Sequence, residues 1–247
     1  MAELFPFQGY RYNPDKVRRI QDVVSQPYDK ISTEMCQEYL KRDPHNIARV
    51  IKNRNYTQAA SYLKDWIQND VLTREDSPAF YPYEQRFELE GRTLCRIGFI
   101  GLISLDNSEY AVKGHEQIMD NPLEDRLNLI RSTESNEGLI FMLYSDSKLQ
   151  VDRALNNFRE NAEPVITVTD EYDVTNRLWK LSIPELQTQI IDTLRNKTFY
   201  IADGHHRFQT SLLYSQECRE KGWKSAAIES FDKRMVGLFN MDAPGLS

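Results

Sequence analysis

Four polar residues and a glycine follow one another near position 205, and their types suit phosphate binding. They are Asp203, Gly204, His205, His206 and Arg207, here named the box. The apolar run Thr198–Ala202 before them predicts a strand, and the residues after them predict a helix from about His206 to Lys221. The first amides of a helix lack intrahelical partners and lie at the positive end of its dipole. A strand that leads through a glycine turn into a helix therefore predicts an anion site.

Each residue of the box has a specific use in such a site. Gly204 allows a tight turn and leaves room for a phosphate oxygen. Arg207 can clamp phosphate through two parallel hydrogen bonds. Asp203 can cap the helix or hold a magnesium ion that accompanies the phosphates. His205 and His206 can donate to phosphate oxygens or relay a proton. In the structural alternative, Asp203 only caps the helix, and the histidines and the arginine are solvated.

A second polar cluster, Lys113-Gly114-His115-Glu116, follows the predicted strand Leu94–Leu105. A histidine beside a glutamate can supply a general base and its neighbour, so His115 and Glu116 are the catalytic candidates. Glu116 can also be a metal-binding carboxylate, and a surface turn is the plain alternative for the whole cluster. A zinc site in the box is disfavoured, because the side chains of adjacent histidines diverge and no HExxH spacing occurs.

Two dipeptides and a lysine are candidates for a pocket around the same ligand. Tyr28-Asp29 lies in a proline-containing loop and suits a ligand contact, although a plug at the rim of the fold explains it equally well. Asp125-Arg126 lies on a predicted helix, Leu123–Arg131, where the alternative is a surface ion pair worth under about 1 kcal/mol. Lys113, from the second cluster, completes this set.

Helices and strands alternate along the rest of the chain. Apolar stripes of helical period predict helices over Ser32–Leu40, Tyr56–Asp70, Lys148–Arg159 and Glu185–Leu194. Short apolar or alternating runs predict strands over Ala79–Tyr83, Gln85–Leu89, Leu139–Tyr144, Val165–Thr169, Arg177–Leu181 and Met235–Met241. The segment Phe5–Tyr28 predicts an ordered loop, and Glu90-Gly91 predicts a turn. The pattern indicates an α+β fold with a mixed, largely antiparallel sheet and flanking helices.

The composition is that of a soluble globular protein. Of 247 residues, 40% are hydrophobic and 28% are charged, and the net charge of −6 disfavours a general nucleic-acid partner. The three cysteines are far apart, without disulfide or zinc spacing. No stretch approaches the roughly 18 to 20 apolar residues of a membrane span, and Met1–Tyr10 lacks the features of a secretory signal. We therefore predict a cytoplasmic protein with a small-molecule substrate, no membrane and an oligomeric state that the sequence leaves open.

A succession of motifs resembles the family known as domain of unknown function 1015. In chain order they are Phe5-Pro6-Phe7, Gln26-Pro27-Tyr28-Asp29, the helix around Trp66, Pro78-Ala79-Phe80-Tyr81, Gly98 to Ile103, His115-Glu116, Asp125-Arg126, and Tyr200 to Arg207. The resemblance runs from Phe5 to Gly245. Members of the family continue with an Ile-Leu-Pro-Thr-His-Arg-like segment that is missing after Leu246. We therefore expect either one α+β domain, with a possible subdivision near 145–150, or the N-terminal portion of a longer protein.

The box also resembles the phosphate box of the ParB and sulfiredoxin superfamily. In that superfamily a Gly-x-His-Arg turn grips nucleotide phosphates, and some members are free-serine kinases that activate the serine hydroxyl with a glutamate. The resemblance implies that Gly204, His206 and Arg207 hold phosphate and that Glu116 is the base.

Three hypotheses for function follow from these residues. The first is a phosphotransferase that uses ATP or ADP with magnesium and acts on a small hydroxylated metabolite such as free serine. The second is a ParB-like regulator that binds a nucleotide as a switch. The third is a non-catalytic scaffold whose box is a structural cap. The acidic balance of the chain and the lack of a helix-turn-helix pattern disfavour the second.

Overall fold

The computed structural model describes residues 3–106, 111–115, 120–226 and 229–246. Within these ranges the chain forms eight α-helices, a mixed sheet of nine strands and a separate two-stranded ribbon. The predicted α+β class and largely antiparallel sheet are confirmed. None of the helices in these ranges is long and apolar enough to cross a membrane.

The strands and helices have the following bounds. The strands are β1 Leu4–Phe5, β2 Tyr10–Tyr12, β3 Leu72–Arg74, β4 Tyr81–Leu89, β5 Arg92–Ser104, β6 Val112–Lys113, β7 Ile140–Tyr144, β8 Ile166–Thr169, β9 Thr175–Leu178, β10 Phe199–Asp203 and β11 Lys233–Asn240. The helices are α1 Ile20–Val23, α2 Thr33–Arg42, α3 Ala48–Ile51, α4 Tyr56–Gln68, α5 Asp120–Thr133, α6 Gln150–Glu160, α7 Pro184–Leu194 and α8 His205–Glu220. Single 3-10 turns lie at Tyr28–Lys30 and Pro244–Leu246.

The main sheet has the order β6-β10-β7-β11-β5-β4-β9-β8, and β1 pairs with β5. Two neighbouring pairs are parallel, β6 with β10 and β7 with β11, and the other pairs are antiparallel. Strands from both sides of residues 145–150 pair in this sheet, because β7 lies between β10 and β11. The box strand β10 is flanked by β6, which carries Lys113, and by β7.

Two predictions of local structure need correction. The predicted strands Ala79–Tyr83 and Gln85–Leu89 are replaced by one strand, β4, which begins at Tyr81 and pairs with β5 through the predicted turn at Glu90 and Gly91. Both turn residues have positive φ, 52° and 72°, as a tight two-residue hairpin requires. The segment Phe5–Tyr28 is not only loop, since it contains β2, α1 and the end of β1. These elements have two to four residues, too few to show a period in the sequence.

The buried apolar side chains of the described residues form two large cores and a small third cluster, made by Leu127 and Ile130 of α5 with Tyr214 and Cys218 of α8. The larger core is built on the main sheet and includes Phe80, Phe99, Ile140 and Phe199. The smaller core lies among the N-terminal helices around Tyr39 and Trp66. Helix α5 contacts α4 on one side and α8 on the other, so it connects the second core to the helix that begins at the box.

Candidate functional site

The box lies at a junction of strand, turn and helix, and this prediction is confirmed. Strand β10 ends at Asp203, Gly204 takes a φ of +97°, and α8 begins at His205. Asp203 does not cap the helix, because Gly204 is the N-cap residue and no side-chain cap bond is made. The carboxylate of Asp203 instead accepts a hydrogen bond from Arg207, one turn into the helix.

The side chain of Arg207 is buried and held in place. It is 6% exposed, Nη2 donates to Oδ2 of Asp203 over 2.5 Å, and Nη1 donates to the carbonyl of Leu139. The carboxylate of Asp29 lies 3.8 Å from Nη2. The Nε of Arg207 is buried and has no hydrogen-bond partner among the described residues. The structural alternative predicted a solvated arginine, and for Arg207 this prediction is wrong.

His205 is buried against the second polar cluster. It is 4% exposed, and the backbone N–H of His115 donates to its Nε2 over 3.2 Å. The two imidazole rings meet edge to face, with their centroids 4.6 Å apart. Gly114 makes this approach possible, because a Cβ there would lie 3.0 Å from Cδ2 of His205. An Nε2 that accepts a hydrogen bond places the proton of a neutral His205 on Nδ1.

Lys113 of the second cluster and His206 of the box are less buried than His205. Lys113 is exposed on β6 and lies opposite Tyr200 of β10, so the parallel pairing brings it to the box strand. Glu116, the candidate base, lies outside the described residues. His206 follows His205 in the first turn of α8 and is half-buried.

Three of the predicted pocket residues, Tyr28, Asp125 and Arg126, lie together. The guanidinium of Arg126 lies 4.1 Å from the centre of the Tyr28 ring, and its Nη1 donates to the carbonyl of Ile51 over 3.0 Å. Asp125 accepts from Nε of Arg126 and from the hydroxyl of Tyr56, each over 2.9 Å.

The positive charge of Arg207 in the box also acts on Tyr28. Burial raises the pKa of Tyr28, and the positive charges of Arg126 and Arg207 act in the opposite direction. Asp29, next in the chain, faces Arg207 directly. Two segments about 180 residues apart, one at Tyr28-Asp29 and one at the box, therefore meet at the start of α8.

A segment that no sequence motif predicts contacts the box through its backbone. Residues 136–139 lie in the connection between α5 and β7, and Arg207 binds the carbonyl of Leu139 in this segment. Arg234 of β11, which is 4% exposed, donates to the carbonyl of Gly138 over 2.8 Å. No motif marks these residues, because a carbonyl acceptor carries no side-chain signature and Arg234 only follows Lys233 at the start of an otherwise largely apolar strand.

Within the described residues, the structure has two surface cavities. One, of about 660 Å³, is lined by residues of α6 and α7 such as Phe158 and Leu186. The other, of about 400 Å³, lies beside the end of α5 and includes Tyr214 and Trp223. Neither is lined by a residue of the box. In the described ranges no three or more His, Cys, Asp or Glu side chains are grouped to hold a metal ion.

The fold and the site define an α+β protein with a buried arginine at the start of a helix. A family model, described as protein of unknown function (DUF1015), matches residues 4–247. The chain belongs to this family. No match was found among curated proteins or among solved structures.

Proposed function

We propose that the box binds the phosphates of ATP or ADP with magnesium, and that the protein transfers a phosphoryl group to a small hydroxylated metabolite. Free serine is the acceptor that the resemblance to the ParB and sulfiredoxin superfamily suggests. The observation that carries the proposal is the buried Arg207 at the start of α8, with an Nε–H that lacks a partner among the described residues.

The local charges support phosphate binding. The start of α8 carries the positive end of the helix dipole, and Gly204 brings the backbone there without a side chain. Arg207 already forms a charged hydrogen bond to Asp203, whose side chain is 53% exposed. A phosphate in place of this carboxylate would keep the charged hydrogen bond, and the carboxylate of Asp203 would then be able to hold magnesium.

Phosphoryl transfer depends mainly on positioning and charge neutralisation. Arg207, Arg126 and Lys113 supply positive charge, while Asp29 and Asp203 would supply oxygens to hold magnesium. In the proposed step the base, Glu116, takes the proton of the acceptor hydroxyl. The hydroxyl oxygen attacks the terminal phosphorus, the bond from phosphorus to the bridging oxygen breaks, and the shortened nucleotide leaves with that electron pair.

The test is nucleotide affinity measured by calorimetry, with magnesium and either ATP or ADP. Arg207→Ala should weaken binding by about one to two orders of magnitude, because a hydrogen bond to a charged group contributes roughly 1.5 to 3 kcal/mol. Arg219→Ala is the matched control, since Arg219 lies at the other end of α8 and pairs with Asp106. The control should bind as the unmodified protein does.

Transfer is measured separately, against a panel of hydroxylated metabolites that includes serine. Glu116→Gln keeps the shape of the side chain and removes the base, so it should lower turnover more than affinity. A protein that binds no nucleotide at millimolar concentration with magnesium contradicts the proposal and leaves the box as a structural turn. Binding without transfer to any acceptor favours the ParB-like regulator instead.

A further inference from the structure

Arg234 is a buried charge in the middle of the main sheet. It lies on β11, between β5 and β7, and is 4% exposed. Burying a guanidinium is costly unless hydrogen bonds and charges compensate for the lost water. Its Nη1 donates to Oδ1 of Asn136 and its Nη2 to the carbonyl of Gly138, each over 2.8 Å. Both acceptors belong to the segment 136–139.

Arg207 of the box also binds the segment 136–139. Arg207 donates to the carbonyl of Leu139, and Arg234 donates to the carbonyl just before it, that of Gly138. Gly138 has a φ of +83°, and a Cβ there would lie 3.7 Å from Nη1 of Arg207. Arg207 of α8 and Arg234 of β11 therefore bind adjacent carbonyls in the connection between α5 and β7.

The charges of the two arginines affect each other across this connection. Burial lowers the pKa of Arg234 to about 10, Glu137 opposes that shift, and the charge of Arg207 adds to it. Burial also raises the pKa of the Glu137 carboxyl, against the charges of Arg234 and Arg126. Arg234 remains charged at neutral pH, so it repels Arg207 slightly while fixing the segment that Arg207 binds.

We infer that Arg234 is a positioning residue for phosphate binding. By holding Asn136 and Gly138 it fixes the carbonyl of Leu139, and that carbonyl fixes the guanidinium of Arg207 beside Gly204. The inference rests on the proposed function of the box, and it extends the site to a residue on the central strand that touches no ligand.

The test is a double-mutant cycle in nucleotide affinity. Arg234→Met should weaken binding of magnesium-ATP by about tenfold when Arg207 is present and should have little effect in the Arg207→Ala background, because coupled residues are not additive. Arg234→Lys should restore part of the affinity, since a lysine can still donate to one carbonyl. Equal losses in both backgrounds would show that Arg234 does not act through Arg207, and would overturn the inference.

Hydrogen exchange gives a second measurement that needs no nucleotide. Arg234→Met should speed exchange of the amides in residues 136–139 and 205–208, relative to the rest of α8. Arg159→Met is the control, because it removes another arginine with a buried acceptor, the carboxylate of Glu84, and Arg159 lies on α6. Unchanged exchange at 205–208 overturns the inference, as does the same pattern in the control.

The two measurements separate the two proposals. If the unmodified protein binds no nucleotide, the proposed function fails, and exchange alone decides whether Arg234 positions Arg207. If Arg234→Met does not fold, Arg234→Lys gives the same comparisons with a smaller expected effect.

Discussion

Position 204 must allow a positive φ and must leave room for the side chain of Arg207, and only glycine meets both requirements. Its φ of +97° lies in the left-handed region, where a Cβ is strained. A Cβ at this position would also lie 3.2 Å from Cζ and Nε of Arg207. The guanidinium therefore packs over the bare backbone of the turn, and this contact sets where its Nε–H lies.

Gly204→Ala should lower both stability and nucleotide affinity. The positive φ alone should cost about 1 to 2 kcal/mol of unfolding free energy, and displacement of Arg207 should weaken binding by about tenfold. Gly222→Ala is the matched control, because Gly222 has a φ of +79° just after α8 and open space around it. Urea unfolding and calorimetry on both variants check this. Equal affinity in the two variants would show that Arg207 does not depend on Gly204.

At the level of elements, the long helices and strands were predictable and the short ones were not. Helices α4 and α7 and strands β5 and β11 show apolar periods over many residues, and their predicted bounds differ from the observed ones by a few residues. Strands β1 and β6 have two residues each and exist because β5 and β10 offer them hydrogen bonds. The partner strands lie far away in the sequence, so the residues of β1 and β6 alone do not predict the pairing.

The candidate site was predictable to the extent that it consists of side chains in recognisable motifs. The box and Tyr28-Asp29 could be identified locally, but only the sheet order and the packing of α5 bring them together. The carbonyl of Leu139 and the buried Arg234 could not be identified, because their roles depend on the backbone of a connection.

The pairing of β5 with β11 depends on a glycine at one point. Gly98 lies opposite Phe239, and a Cβ there would be 2.3 Å from the carbonyl oxygen of Leu238. Gly98→Ala should therefore destabilise the protein by about 1 to 3 kcal/mol through overpacking.

Gly237→Ala provides the comparison for this strand pair. Gly237 lies on β11 opposite Ile100, and the nearest atom to its Cβ position, on Phe239, is 3.5 Å away, an ordinary contact. This variant should be neutral or more stable by up to about 1 kcal/mol, because alanine suits a strand interior better than glycine. Urea unfolding of both variants is the measurement, and similar midpoints would argue against close packing at Gly98.

On the scale of the whole molecule, a buried carboxylate links the β2–β3 ribbon to the main sheet. Glu75 follows β3 and is 8% exposed. Its carboxylate pairs with Arg11 of β2 and, over 2.8 Å, with Lys180, which follows β9. Burial alone would raise the pKa of Glu75, but the hydrogen bonds and charges of Arg11 and Lys180 outweigh burial and lower it.

Glu75→Gln should therefore destabilise the protein at neutral pH and not in acid. A folded-state pKa below the unfolded value of about 4.3 means that the ionised group stabilises the fold above that value. This contribution is lost as pH falls through the lowered folded pKa, where the native Glu75 is itself protonated. Removing the charge from between two cations should cost about 1 to 3 kcal/mol at pH 7. Asp76→Asn, which removes an exposed partner of Lys180, should cost less. Urea unfolding at pH 7 and at successively lower pH measures both, and a deficit for Glu75→Gln that stays constant with pH would contradict the charge argument.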